Sequence, residues 1–244
     1  MPSVAPEGAP LVKWSAEAFR LIPSRFPPVN VYEGVVASDR HDEVVTVENI
    51  TNPRLRSLWR LRHSIQGDPG TDPKLQNWNL APFAYGNPEG STFFGEDRPC
   101  LEVALERQTA LAVSVARRQS FMAATQEPPI GLDMRMLCTP VKGTFWDLRD
   151  VSGLATDFDE TQRREIGANM PDGAHGILYR PVERPAGTCI AIVTGDVLQR
   201  SQQTVHYRYV WDGRRIAVVY AFDSKGTPIE AETLRGQDDV LAAA

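Results

Sequence analysis

The 244-residue chain is poor in the features that announce common chemistries. Its three cysteines, Cys100, Cys138 and Cys189, lie far apart in no paired spacing. An odd count without pairs points to reduced thiols in a cytosol, set in apolar surroundings as structural residues, and not to a disulfide framework. Four histidines, His41, His63, His175 and His206, share no metal-ligand spacing, so no metal site is expected. There is no P-loop and no G-x-G-x-x-G, and the lack of a G-x-S-x-G elbow weakens a serine-hydrolase reading. No apolar run approaches a membrane span. The opening "MPSVAPEGAPLVKW" lacks the basic start and apolar stretch of a signal peptide. Positive charge is short as well: a net charge of −5 and a pI near 5.5 give no general attraction to phosphate backbones. The expected compartment is the cytoplasm.

What is present suffices for a packed core, with 42% hydrophobic residues. Residues 1–13, rich in Pro and Ala, read as a loose arm. "EAFRLI" is a short strand candidate ended by "PSRFPPVN", where proline forbids regular pairing. A helical pattern runs from about Asp39 to Arg62, broken at "TNPRLR", where Asn52 can cap a helix with Pro53 first. Residues 66–92 are dense in Gly, Pro, Asn and Asp and read as a long irregular segment. "CLEVA" is a strand candidate, followed by a helix from about Glu106 to Ala124. Within it Ala110, Leu111, Val113 and Phe121 can face a core while Arg117, Arg118 and Gln119 stay wet. "LDMRMLCTPV" and "TFWDLR" have strand composition, and a polar helix follows near 159–169. "HGILYRPV", "TCIAIVT", "TVHYRYVWDG" and "RRIAVVYAF" read as four further strands. Asp212-Gly213 marks a hairpin between the last two, because both residues tolerate positive φ. The polar tail from 223 to 244 reads as frayed. This order predicts one α+β domain, with helical regions flanking a mainly antiparallel sheet.

Candidate chemistry rests on arginine and glutamate. Arg20 lies in an apolar strand context and Arg25 in the turn after it. A guanidinium reaching from strand to cleft suits a phosphate or carboxylate, but the residues alone favour a salt bridge to one of the many acids. Arg54, Arg56, Arg60 and Arg62 fit a solvated helix face as well as an anion site. Glu102 and Glu106 flank the start of the central helix. They form a candidate acid pair, and charge there also simply stabilises the helix.

At "AFRLIPSRFPP" the chain resembles the RES domain family, toxins that degrade NAD+ and are paired with an antitoxin. "ENITNPRLR", "NPEGSTF", "FMAATQEPPIGLDMR", "DLRD", "HGILYRPVERPAGTCIAIV" and "HYRYVWDGRRI" continue the resemblance in family order over residues 14–222. It implies a fold similar to diphtheria-toxin-like ADP-ribosyltransferases, with a split, mostly antiparallel sheet holding NAD+ as substrate or ligand and no separate cofactor. It implies a partner antitoxin of the Xre/MbcA/ParS type, and no direct contact with nucleic acid or membrane. Arg20 matches the family's first-strand arginine and Arg25 a second. Elsewhere the chain departs from the pattern. Thr92 stands at a usual arginine, and Pro99, Leu101 and Glu102 replace a glycine and two tyrosines. Val113 stands at the catalytic glutamate, Arg117 at a frequent histidine and Pro181 at the serine.

Valine cannot stabilise an oxocarbenium-like ribose, and proline has neither hydroxyl nor N–H. The resemblance therefore implies a pseudoenzyme that binds a nucleotide or a protein, with Arg20, Arg25, Thr92 and Tyr179 as candidate nucleotide contacts. The alternative is an active NAD+ phosphorylase or glycohydrolase toxin with a rebuilt site, in which Arg20 and Glu102 or Glu106 carry catalysis. Tyr179, Arg180 and Arg184 flank the altered serine position, and the alternative for them is a core tyrosine and solvated arginines.

Overall fold

In the computed structural model, residues 8–24, 77–84, 87, 89–154, 157–222, 226 and 228–241 are described. The expected helical stretch 39–62, its arginine cluster and Arg25 lie outside them. Strands β1 (Leu11–Pro23), β2 (Leu101–Ala104), β3 (Ile130–Asp147), β4 (Gly176–Tyr179), β5 (Cys189–Ile192), β6 (Gln202–Trp211), β7 (Ile216–Ala221) and β8 (Pro228–Glu230) carry the fold. Among the described residues the α-helices are α1 (Asn77–Ala84), α2 (Arg107–Thr125) and α3 (Glu160–Ala168). The fold is α+β, as composition and pattern predict.

The strands form one hydrogen-bonded system in the order β1-β2-β5-β4-β3-β6-β7-β8, with β1 also paired to β3. Every pairing is antiparallel except β3–β4. The extra β1–β3 pairing closes five strands into a ring, and β6, β7 and β8 extend from it as an open sheet. Strand alternation then makes two cores. Ala18, Leu101, Val103, Phe145, Leu178, Ile190 and Ile192 pack together inside the ring. Phe19, Ala104, Ile177, Tyr179 and Ala191 face the other way, onto α2 and the open sheet. A 19-residue helix cannot enter a five-stranded ring, so α2 covers the outside, burying Leu111, Ala112, Val115 and Met122.

Five local readings need correction. The arm is partly strand: β1 starts at Leu11 and pairs with β3 along all 13 of its residues. Val12, Trp14, Ala16 and Ala18 alternate with Leu11, Lys13, Ser15 and Glu17, a period-2 pattern visible in the sequence. β3 is a single 18-residue strand despite Pro140, which lies beyond the last β6 pair at Cys138–Gln202. The irregular segment contains α1, in which buried Asn79 accepts from Ser201 Oγ (2.7 Å) and donates to the Gln199 carbonyl (3.3 Å). Residues 228–241 are not frayed, since β8 pairs with β7 and Leu234 is completely buried. Phe121, expected inward, is 57% exposed beneath the Arg118 guanidinium.

β4 and β5 approach so closely that Gly176 leaves no room for a side chain. A Cβ there would strike the Ala191 carbonyl. Gly176→Ala is therefore expected to destabilise the chain by about 2 kcal/mol or more, because rigid paired backbone must move. Urea denaturation of the two proteins measures it, and a loss below half that size would show that the strand ends yield.

Candidate functional site

Alternation in β2 turns Leu101 and Val103 into the ring and leaves Glu102 facing α2. There its carboxylate is the centre of a four-residue network. Oε1 accepts from the Tyr179 hydroxyl at 3.0 Å and from the Thr92 backbone N–H at 3.3 Å. Oε2 accepts from Arg117 Nη2 at 2.5 Å. Because the Tyr179 hydroxyl donates to Glu102, Thr92 Oγ1 donates to Tyr179 Oη, 3.3 Å away. The Phe93 ring meets the Tyr179 ring edge-on at 5.0 Å between centroids. Four elements thus converge: β2, α2, β4 and the loop before β2.

The network has a fixed charge state. Burial alone would raise the Glu102 carboxyl, yet the Arg117 charge and the three donors outweigh it and hold the pKa below the ordinary glutamate range. Arg117 is raised in turn by Glu102. Burial, reinforced by the Glu102 charge, drives the Tyr179 phenol well up, so it stays a neutral donor. Burial also pushes the nearby Cys100 thiol up to about 12, again aided by Glu102, which removes it as a nucleophile. The carboxylate side chain is 10% exposed and that of Arg117 50%. The pair is therefore a buried anion under a half-open cation.

The other candidates lie elsewhere. Glu106 precedes the first turn of α2, and its Oε2 accepts from Thr109 Oγ1 (2.7 Å) and the Thr188 N–H (3.0 Å). Arg184 Nη1 donates to the same Thr109 hydroxyl at 2.9 Å, so Glu106 ties the helix start to β5. Arg20 shares the ring-facing side of β1 with Ala18, whereas Phe19 and Leu21 face α2. It does not point toward the Glu102 network, and burial lowers its pKa to about 10. Val113 packs against the outer core. Pro181 is buried and its carbonyl accepts from the Arg184 N–H at 3.2 Å.

A family model described as RES domain matches residues 57–212. The chain belongs to the RES domain family. The matched stretch includes β2, α2 and β4, and so all four members of the Glu102 network. This RES-domain protein is also 56% identical, over 226 residues, to a protein named "Uncharacterized protein y4oC" from Sinorhizobium fredii (strain NBRC 101917 / NGR234). The match covers 93% of this chain and 96% of the relative.

Of the sequence candidates, the structure brings Glu102, Thr92 and Tyr179 together. It sets Glu106 and Arg20 apart from them. The sequence reading missed Arg117 as the partner of Glu102. Fifteen residues and a strand-to-helix turn separate the two, and no local spacing rule spans that distance.

Proposed function

We propose that this RES-domain protein does not cleave NAD+ and works by binding, with a nucleotide or a protein as ligand. The observation that carries this is the commitment of both Glu102 oxygens. A carboxylate assists glycosidic cleavage by meeting positive charge that develops on the ribose. Glu102 already faces a full positive charge at hydrogen-bond distance, so its field at any substrate is largely cancelled. Glu106 is held by Thr109 and Thr188, and Val113 has no charge to offer. An active toxin with a rebuilt site would have to begin from Glu102, the one candidate acid that faces Tyr179 and Thr92.

The fold-level analogy to ADP-ribosyltransferases and the pairing with an Xre/MbcA/ParS-type antitoxin are parts of this proposal, supported by membership of the RES family. Among the described residues, no helix is long and apolar enough to cross a membrane.

The test is incubation of the purified protein with NAD+, with and without phosphate, followed by chromatography and a calorimetric titration. No product beyond the buffer control is expected. Turnover that disappears in Glu102→Gln would establish the rebuilt-site toxin and overturn the proposal.

A further inference from the structure

We propose a second ligand site, in an open-mouthed cavity of about 140 Å³, shaped for a ring-sized carboxylate. It does not rest on the reading above, since none of its residues belongs to the Glu102 network. Leu148, Val151 and Leu154 from the loop after β3 give it an apolar floor, and Gly153, Pro185, Arg149 and Arg180 complete its lining. Both guanidinium groups are oriented before any ligand arrives. Arg149 donates Nε and Nη2 to Asp147 at 2.8 and 2.6 Å and stacks 4.9 Å over the Trp14 ring. Its Nη1 has no acceptor among the described residues. Arg180 donates Nε to the Arg149 carbonyl at 3.1 Å and Nη1 to the Pro185 carbonyl at 3.5 Å.

The local charges choose the ligand. Asp147 cancels Arg149, and holds its own carboxyl below the usual range by the hydrogen bonds it accepts from Arg149. Arg180 is different. The carboxylate near it, Asp150, is 4.0 Å from Nη2 and 98% exposed, a pair of little strength that a ligand displaces at small cost. Arg180 Nη2 therefore meets the ligand's carboxylate while the aliphatic floor covers its body. Apolar cavities of about 150 Å³ hold one benzene ring, and this mouth adds a cation to such a floor. A bare anion would leave the floor unused, and a neutral ring would leave Arg180 unused.

Sodium benzoate is the probe, titrated into the full chain by ligand-observed NMR, with benzamide, acetate and phosphate for comparison. Saturable benzoate binding is expected, with the other three weaker by about tenfold or more, since a charge-assisted hydrogen bond and a buried ring each contribute on that scale. Arg180→Gln and Pro185→Glu should each weaken benzoate by about tenfold or more. Both positions are solvent-exposed in part, and circular dichroism checks that both variants fold. Absence of saturation overturns the site. So does benzamide, acetate or phosphate binding as well as benzoate, and so does benzoate binding unchanged in both variants.

Discussion

Arg117→Met is expected to cost about 1–3 kcal/mol of stability at neutral pH. Breaking a buried ion pair by removing one partner typically costs about 3–5 kcal/mol, and the half-exposed guanidinium calls for a discount. The loss falls on Glu102, left nearly buried with only Tyr179 and the Thr92 N–H as donors. Glu102→Gln should cost less, because it leaves Arg117 half in water. The sign of the pH dependence follows from the same geometry. In the wild type the Glu102 pKa is depressed, so its contribution is present above the unfolded value near 4.3 and is lost as pH falls through the folded value. Without Arg117, burial dominates and the folded pKa rises, which penalises the ionised form. The gap between wild type and Arg117→Met should thus be smallest in acid and widen with rising pH until Glu102 is fully ionised in both. Urea denaturation across the acid-to-neutral range measures it. A gap independent of pH would mean that Arg117 contributes packing and no pairing.

Deleting residues 228–244 is expected to unfold the chain or leave it aggregated. The deletion removes β8 and the 3-10 turn Ala231–Arg235, and with them the fully buried Leu234. It also strands two buried polar side chains. Gln108 Nε2 donates to the Leu234 and Asp238 carbonyls at 3.2 and 2.9 Å, and its Oε1 accepts from the Val240 N–H at 2.8 Å. Arg184 donates Nε to the Gly236 carbonyl at 3.1 Å and Nη2 to the Gln237 carbonyl at 3.2 Å. A lost buried leucine costs about 2–5 kcal/mol and each orphaned buried polar group about 1–3, more when charged. Their sum reaches the whole stability of a typical domain, about 5–15 kcal/mol. Soluble yield and a thermal melt decide the matter. A truncated chain melting within a few degrees of the full one would show that the segment only covers a core able to stand without it.

The Arg117 result bears on function as well as stability. If the ion pair holds Glu102 ionised and neutralised, the position closest to a catalytic carboxylate is occupied by structure.

Residue pattern alone located β2, α2, α3 and the strands from β4 to β7, because each carries its own period and its own stop signals. The hairpin at Asp212-Gly213 was equally legible: Gly213 has φ +97° and Asp212 Oδ1 accepts from the Arg214 and Arg215 N–H groups at 2.8 Å. The resemblance to RES proteins located the family without any geometry. Tertiary structure decided the rest. β1 reaches back to Leu11 because β3 offers it a partner along its full length, and "LVKW" by itself has nothing to pair with. Residues 228–241 are held in place because their carbonyls satisfy Gln108 and Arg184, residues distant in sequence. Glu102 could be read as a free acid or a helix-start charge until the closed ring set β2 under α2. That closure brings Arg117 within 2.5 Å of the carboxylate, and a counter-charge at hydrogen-bond distance determines what an acid can do.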